Sequence, residues 1–263
     1  MYSFPQNRCK FRKIYQYIDY ICKKFNSGEM RILITNDDGY QSKGIKVLVE
    51  IMQQFGEVTV IAPKTHQSGM AMALSLGFKQ IAHKDLGNGW HYLDATPASC
   101  VKFGLNTMFA DNYPDVVVSG INHGSNASVA SCYSGTLGAA AEAALNGIPA
   151  IGVSIDNLDL GCDFSGVSEY FGEIFKNIMD NYPSKYGVYF NVNFPNLPAE
   201  EIKGVRPGYQ GIGKWVREFR EWDVDFYKDF SLTPEILGQS SNPVLEEGEE
   251  LYMMVGELQN DPR

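Results

Sequence analysis

The chain has 263 residues, a formal net charge of -9 and 44% hydrophobic residues. This composition excludes an intrinsically disordered chain, a collagen-like fibre and a small disulfide-stabilised scaffold. The acidic balance also argues against nucleic-acid polymers as partners, because their phosphates repel a negatively charged protein. The length allows either one large domain or a core with an appended segment.

The cysteines indicate a reducing compartment. They are five in number, widely spaced, and form no C-x-x-C pair. An odd and scattered set is typical of free thiols in a cytoplasmic protein, not of a disulfide framework or a zinc site. The set comprises Cys9, Cys22, Cys100, Cys132 and Cys162.

Residues 1–29 differ in composition from the rest of the chain. They carry six basic residues against Asp19 and Glu29, and their apolar residues recur at helical spacing. This pattern predicts a basic amphipathic helix, and no segment of the chain is apolar enough to predict a membrane span. We favour a helix docked on the domain, or a leader translated from an upstream start. A membrane-surface or partner-binding helix, which would make this an interaction protein, is the alternative.

From Met30 onward, short apolar runs alternate with segments of helical periodicity. The runs predict strands at 31–35, 58–62, 74–76, 90–93, 115–119, 150–155 and 188–192. Helices are predicted from 45 to about 56, from 97 with Thr96 as N-cap, at 136–146 and at 168–179. Strands that are apolar throughout and alternate with helices predict an α/β fold with a doubly wound, mainly parallel sheet. Beyond Pro195 the alternation ends, and 205–224 is interpreted as a β-hairpin extension or an ordinary surface hairpin.

Ligands of such a sheet bind beyond the carboxyl ends of the strands, so the loops that follow the strands are the candidate site. Asn36, Asp37, Asp38 and Gly39 follow the first strand. Two adjacent carboxylates repel each other, and without His or Cys partners they suit Mg²⁺, Mn²⁺ or Ca²⁺ better than zinc. The simpler alternative is an Asx-type turn that starts the next helix.

Two further loops add neutral oxygen donors. Ser68 lies after the second strand, and the third loop carries Asn122, His123, Gly124 and Asn126. Their hydroxyl, amide and backbone groups suit a cation or a phosphate, although Gly/Asn-rich loops also occur without function. His123 is a possible accessory residue that would orient a phosphate or donate a proton to a leaving oxygen.

A fourth segment, Ser134-Gly135-Thr136, precedes an Ala-rich helix. Free backbone N–H groups and the positive end of the helix dipole favour a phosphate there, whereas plain N-capping is the simpler alternative. The chain has no G-x-x-x-x-G-K-[ST], no G-x-G-x-x-G after the first strand and no G-x-S-x-G, so P-loop, dinucleotide and nucleophile-elbow sites are disfavoured.

Five motifs follow one another along the chain: T-N-D-D-G at 35–39, Q-S-G at 67–69, T-P-A-S-C at 96–100, S-G-I-N-H-G-S-N at 119–126 and Y-S-G-T-L-G-A-A-A at 133–141. In this order they resemble the SurE family, the stationary-phase survival proteins, which are metal-dependent 5'-nucleotidases. The resemblance runs from Met30 to about Pro195, with hairpin-like similarity beyond.

The resemblance implies a Rossmann-like core and one divalent cation per subunit, Mg²⁺ or Mn²⁺, with Ca²⁺ able to occupy the site. By motif position the metal ligands are Asp37, Asp38, Ser68 and Asn122, and Asp37, Asp38 and Asn122 are the catalytic set. The substrate would be a nucleoside 5'-monophosphate, with 3'-monophosphates left open. The phosphate would be held by Asn36, Gly124, Asn126, Ser134, Gly135 and Thr136.

The resemblance also implies a homodimer or homotetramer and divides the chain into an extension (1–29), a core (30–195) and a hairpin and oligomerisation segment (196–263). Three departures from the family pattern are expected to matter. Residues 1–29 lie outside it, and a family G-Y-x-S-[IV]-T-P-L strand is missing after the strand-like 250–255. In family members a basic residue commonly precedes Ser-Gly, whereas this chain has Gln67 at that position. His66 or Lys64 would therefore have to supply the positive charge.

The predicted mechanism is in-line attack on the phosphorus by a water that the cation activates, with one carboxylate orienting or deprotonating the water. Direct attack by Asp37 or Asp38 is the rival mechanism, disfavoured because the D-x-D spacing typical of an aspartyl-phosphate intermediate is absent. A non-catalytic nucleotide or phosphate sensor built on the same loops is the alternative function.

Overall fold

The computed structural model describes residues 30–77, 80–216, 219–221, 252–254 and 257–259. The predicted N-terminal extension, 1–29, lies outside these residues. The main sheet contains β1 (Met30–Thr35), β2 (Gly56–Pro63), β3 (His83–Gly87), β4 (Trp90–Leu93), β5 (Val116–His123), β6 (Ala150–Ile155) and β7 (Phe190–Phe194). The helices are α1 (Lys43–Met52), α2 (Pro97–Asn106), α3 (Gly135–Leu145) and α4 (Ser165–Asp180). None of the described helices is long and apolar enough to cross a membrane.

The sheet has the order β3-β4-β2-β1-β5-β6-β7, and only β3 runs antiparallel to its neighbour. Helices cover both faces, with α1 and α4 packed on one and α2 and α3 on the other. This is the predicted α/β fold with a doubly wound, mainly parallel sheet. The central strands are buried on both sides, which explains why they are apolar at every position.

Helix α1 shows how the cap residue and the apolar spacing in the sequence determine a helix and the face that it buries. Ser42 caps its N-terminus by accepting a hydrogen bond from the Ile45 N–H, and the apolar face that includes Ile45, Leu48 and Met52 is buried against the sheet. Helix α2 begins as predicted, with Thr96 as the N-cap and Pro97 at the first helical position. Proline is favoured there because its missing N–H would lack an intrahelical acceptor in any case.

The predicted strand at 74–76 is wrong, and the edge strand β3 lies at His83–Gly87 instead. The 74–76 segment is held by side-chain hydrogen bonds in place of a strand partner. Ser75 N–H donates to Ser99 Oγ at 2.8 Å, and Thr96 Oγ1 donates to Ala73 O at 2.6 Å. Because side chains at the start of α2 take up hydrogen-bonding groups of this backbone, the segment does not pair with a neighbouring strand.

Within the described residues, the C-terminal extension forms two antiparallel strand pairs, here called the ribbon, whose second side comes from further along the chain than predicted. Strand β8 (Lys214–Val216) pairs with β11 (Glu257–Gln259), and β9 (Phe219–Glu221) pairs with β10 (Tyr252–Met254). The predicted hairpin at 205–224 therefore supplies one side of the ribbon, and the strand-like segment at 250–255 belongs to the other.

Candidate active site

The site lies where the chain connections leave the sheet in opposite directions. Strand β1 pairs with β2 on one side and with β5 on the other, and all three run parallel. From β1 the chain continues to β2 on one side of the β1–β5 pair, and from β5 it continues to β6 on the other side. A crevice forms at such a switch point beyond the carboxyl ends of the strands, and the predicted Asp37–Asp38 and Asn122–Asn126 loops both open there.

Asn36 stabilises the first loop through its side-chain hydrogen bonds. Its side chain is fully buried, and its Nδ2 donates hydrogen bonds to Gly39 O and Ser42 Oγ, both at 2.9 Å. Its Oδ1 accepts from the Gly39 N–H at 3.2 Å. The amide is therefore engaged within the loop, and a direct contact between Asn36 and a phosphate stays a prediction.

Asp37 is buried against the first turn of α3. Thr136 Oγ1 donates a 2.5 Å hydrogen bond to Asp37 Oδ1. A Cβ on Gly135 would lie 2.8 Å from Asp37 Cβ and 3.1 Å from Asp37 Oδ2, so this approach requires glycine. Burial, together with the charge of Asp38, raises the pKa of Asp37 from 3.8 to about 6. The metal-free site thus holds a carboxylate that is costly to ionise.

Asp38 has the opposite electrostatic environment. His123 donates to Asp38 Oδ2 twice, from ring Nδ1 at 2.9 Å and from its backbone N–H at 3.3 Å. His66 Nδ1 lies 3.4 Å from Asp38 Oδ1. Burial raises the pKa of Asp38, but the hydrogen bonds from His123 and His66 outweigh it and lower the pKa to about 2. The hydrogen bond to Asp38 in turn raises the pKa of His66, which burial only partly offsets.

The second loop reaches the site through its backbone. Gln67 N–H donates to Asp37 O at 2.7 Å, and Ala71 N–H donates to Tyr133 O at 2.8 Å. Ser68 lies between these two anchors with its side chain exposed. Of the two residues expected to replace the family's basic residue, His66 contacts Asp38, whereas Lys64 is exposed and its backbone N–H donates to Leu93 O.

The third loop begins in the last residues of β5. Asn122 is buried, and its Nδ2 donates to Gly124 O at 2.7 Å. Gly124 has a φ of +103°, which favours glycine, and its N–H donates to Ile155 O. These bonds fix the loop above β5 and β6, with Asn122 next in sequence to the residue that contacts Asp38.

Asn126 is held by the neighbouring strands. Its N–H donates to Asn193 Oδ1 at 2.8 Å, its Nδ2 donates to Ser154 Oγ at 2.9 Å, and its carbonyl accepts from Asn191 Nδ2 at 2.9 Å. The sequence analysis missed Ser154, Asn191 and Asn193 as residues that position the site. The alternation F-N-V-N-F in β7 was the available signal, since both Asn side chains must project from one face of the strand.

The first turn of α3 completes the site. Ser134 is the N-cap, and its Oγ accepts from the Leu137 N–H at 3.2 Å. Within the described residues, no acceptor is found for the backbone N–H groups of Gly135 and Thr136. Free N–H groups at a helix N-terminus favour an anion, and here they adjoin the Asp37 carboxylate.

The donor set fits a hard divalent cation such as Mg²⁺ or Mn²⁺. The atoms with which Asp37, Asp38, Ser68 and Asn122 could ligate a cation are all oxygens, from carboxylate, hydroxyl and amide carbonyl groups. Burial and the Asp38 charge raise the pKa of Asp37, and a cation would offset this cost of ionisation. Among the residues that the structure describes, no group of three or more His, Cys, Asp or Glu is arranged to hold a metal, so neutral oxygens would have to complete the set.

Comparison with protein families decides the relationship. The model of the family described as "Survival protein SurE" matches residues 32–217, which include β1 from its third residue, β2 to β7 and all of these loops. The chain belongs to the SurE family.

Curated relatives extend the match. A protein of Cytophaga hutchinsonii named 5'-nucleotidase SurE is 42% identical over 193 residues, covering 72% of this chain and 74% of the relative. One of Syntrophobacter fumaroxidans with the same name is 40% identical over 220 residues, covering 81% and 86%. The crystal structure of the SurE protein from Aquifex aeolicus superposes with a TM-score of 0.67 at 29% identity, covering 86% of this chain and 82% of that one.

Proposed function

We propose that this SurE protein is a divalent-metal-dependent phosphomonoesterase that hydrolyses nucleoside 5'-monophosphates to nucleoside and phosphate, with 3'-monophosphates as a second substrate class. The observation that carries the proposal is the contact between Asp37 and the first turn of α3, where a buried carboxylate meets unpaired N–H groups. A cation bound by Asp37 would lie next to a phosphate bound at the N-terminus of α3. The relatives' name, 5'-nucleotidase SurE, supports the same activity.

The cation would be held by Asp37, Asp38, Ser68 and Asn122. When bound, it supplies charge neutralisation at the phosphoryl group and lowers the pKa of a water. Thr136 would keep the Asp37 carboxylate in place by its hydrogen bond to Oδ1. Asp38 is kept ionised by its imidazole donors and supplies a permanent negative charge.

The phosphate would be bound by backbone and hydroxyl donors. The N–H groups of Gly135 and Thr136 point out of the α3 N-terminus, and such preorganised donors stabilise charge that develops in a transition state. Gly124, Asn126 and Ser134 build the loops around them, and Asn36 shapes the loop that carries the carboxylates. One of the two carboxylates would orient the attacking water.

The test is phosphate release from AMP, GMP, their 3'-isomers and p-nitrophenyl phosphate, with Mn²⁺, Mg²⁺ or EDTA. We expect release with metal, none in EDTA, and at least a 100-fold loss in Asp37→Asn, as is typical for removal of charge-stabilising groups. Asp111→Asn is the matched control, because Asp111 is exposed in the loop that precedes β5. Undiminished activity in EDTA would refute the metal mechanism. AMP binding without phosphate release would identify a non-catalytic sensor.

We also propose that the chain forms a homodimer or homotetramer through residues 196–263. Two-stranded ribbons are marginally stable alone in water, so the β8–β11 ribbon needs a surface to pack on. Light scattering coupled to size-exclusion chromatography tests this. A monomer at micromolar concentration would contradict it.

A further inference from the structure

We propose that His123 is a positioning residue that holds the Asp38 carboxylate in the orientation needed to bind the cation. The inference rests on the proposed metal site and assigns a residue outside its ligand set. It differs from the phosphate-orienting and proton-donating roles that the sequence suggested for this histidine.

The contact joins two neighbouring strands. Asp38 follows β1 and His123 ends β5, and the two residues are 85 positions apart in sequence. Both the ring Nδ1 and the backbone N–H of His123 donate to a single oxygen, Oδ2. Two donors from one residue fix the position of that oxygen.

The imidazole is itself immobilised. Its side chain is 5% exposed, and the Phe164 ring packs edge-on against it with centroids 5.6 Å apart. Because an ionised carboxylate can only accept, the Nδ1 that faces Asp38 carries a proton. The other nitrogen, Nε2, is buried and has no hydrogen-bond partner among the described residues. A ring with one nitrogen engaged and the other shielded is placed to orient a neighbour, not to meet a substrate.

The second histidine near Asp38 is a weaker support. His66 approaches the other oxygen at a longer distance of 3.4 Å, and its side chain is 34% exposed. His123 is therefore the main determinant of the carboxylate geometry. Hydrogen bonds to metal-ligating groups typically change metal affinity by about 10–100-fold.

The experiment is calorimetric titration of the metal-free full-length protein with Mn²⁺, without substrate. We expect the Kd of His123→Phe to rise by about 10–100-fold, whereas His123→Asn keeps an N–H donor near the Nδ1 position and recovers most of the affinity. In AMP hydrolysis, raised Mn²⁺ should restore much of the rate of His123→Phe. His83→Phe, on the exposed edge strand β3, is the control and should bind Mn²⁺ like the parent protein.

Three outcomes overturn the proposal: unchanged Mn²⁺ affinity in His123→Phe, equal losses in the Phe and Asn variants, or no Mn²⁺ binding by the parent protein. Unfolding of each variant in EDTA identifies any that fail to fold, and the Phe/Asn comparison is then made at a temperature where both are folded. A parent protein that binds Mn²⁺ but releases no phosphate overturns the proposed function and leaves the positioning role standing.

Discussion

Thr136 Oγ1 and Asp37 Oδ1 are joined by a 2.5 Å hydrogen bond that links the first turn of α3 to the loop after β1. Both side chains are buried, and the residues are 99 positions apart in sequence. The hydroxyl both supports the fold and orients a predicted metal ligand, and these two contributions can be measured separately.

Thr136→Val should destabilise the metal-free protein at pH 7 by about 1–3 kcal/mol, the usual cost of leaving a buried acceptor without its donor. Urea unfolding in EDTA measures this change. Thr136→Ser keeps the hydroxyl and is the matched control, for which we expect less than half of that loss. Equal stability of the Val and Ser variants would show that the hydrogen bond contributes nothing.

The pH dependence of the metal-free protein should show the cost of ionising Asp37. Its pKa is raised from 3.8 to about 6 on folding, so the folded state binds more protons than the unfolded state between these values. The contribution of Asp37 is therefore fully present below pH 3.8 and is lost as the pH rises through about 6. The lost stability is on the order of 3 kcal/mol, at 1.36 kcal/mol for each pKa unit.

Comparison with Asp37→Asn isolates this effect. The pKa of His66 is also raised, so its contribution to stability is likewise lost as the pH rises. The pKa of Asp38 is lowered, so its contribution to stability is lost only as the pH falls below about 4. We expect the free energy of unfolding in EDTA to fall more between pH 4 and 7 in the parent protein than in Asp37→Asn. Parallel pH profiles for the two proteins would contradict the burial argument.

Cation binding should reverse that loss. At a free Mn²⁺ concentration about 100-fold above its Kd, binding stabilises the folded state by about 2.7 kcal/mol. At ~2–4 °C per kcal/mol for a protein of this size, the melting temperature should rise by about 5–10 °C over its value in EDTA. Asp38→Asn should lose most of this rise. A shift of equal size in that variant would place the cation elsewhere.

Gly135→Ala tests how closely the carboxylate must approach the helix. The added Cβ would lie 2.8 Å from Asp37 Cβ, which real atoms do not tolerate, so Asp37 or α3 must move. We expect about a 100-fold loss of phosphate release, since displacements of an ångström have effects of this size. Gly172→Ala in α4 is the control, because its Cβ would meet Phe55 at an ordinary 3.4 Å. Full activity in Gly135→Ala would show that the contact is dispensable.

Much of the fold could be predicted from the sequence because its central strands, such as β5 and β6, are buried on both faces. The runs at 90–93 and 150–155 match β4 and β6, and α3 begins one residue earlier than predicted, with Ser134 as its cap. The prediction failed at 74–76, where a strand-like apolar run is held by Ser99 and Thr96. The hydrophobic periodicity of a sequence does not reveal that side chains will hydrogen-bond to the backbone of a segment in place of a strand partner.

The positions of the loops could be predicted, but the contacts between them could not. Parallel strands place Asp38 and Asn122 at one edge of the sheet, as expected. The pairing of His123 with Asp38 depends on how β5 ends, where the register shifts between Ser119 and Asn122. Likewise, Asn191 and Asn193 become relevant to Asn126 only once β7 lies beside β6.

Helix α3 contacts the site twice. Its first turn holds Asp37, and one turn further on a Cβ at Gly138 would lie 1.9 Å from Ala71 O, so the backbone beyond Ser68 rests directly on the helix. A sliding motion of α3 along its axis would carry both loops with it. The loops predicted to bind the metal and the phosphate therefore both pack against α3, and ordering either of them should slow amide hydrogen exchange in the other.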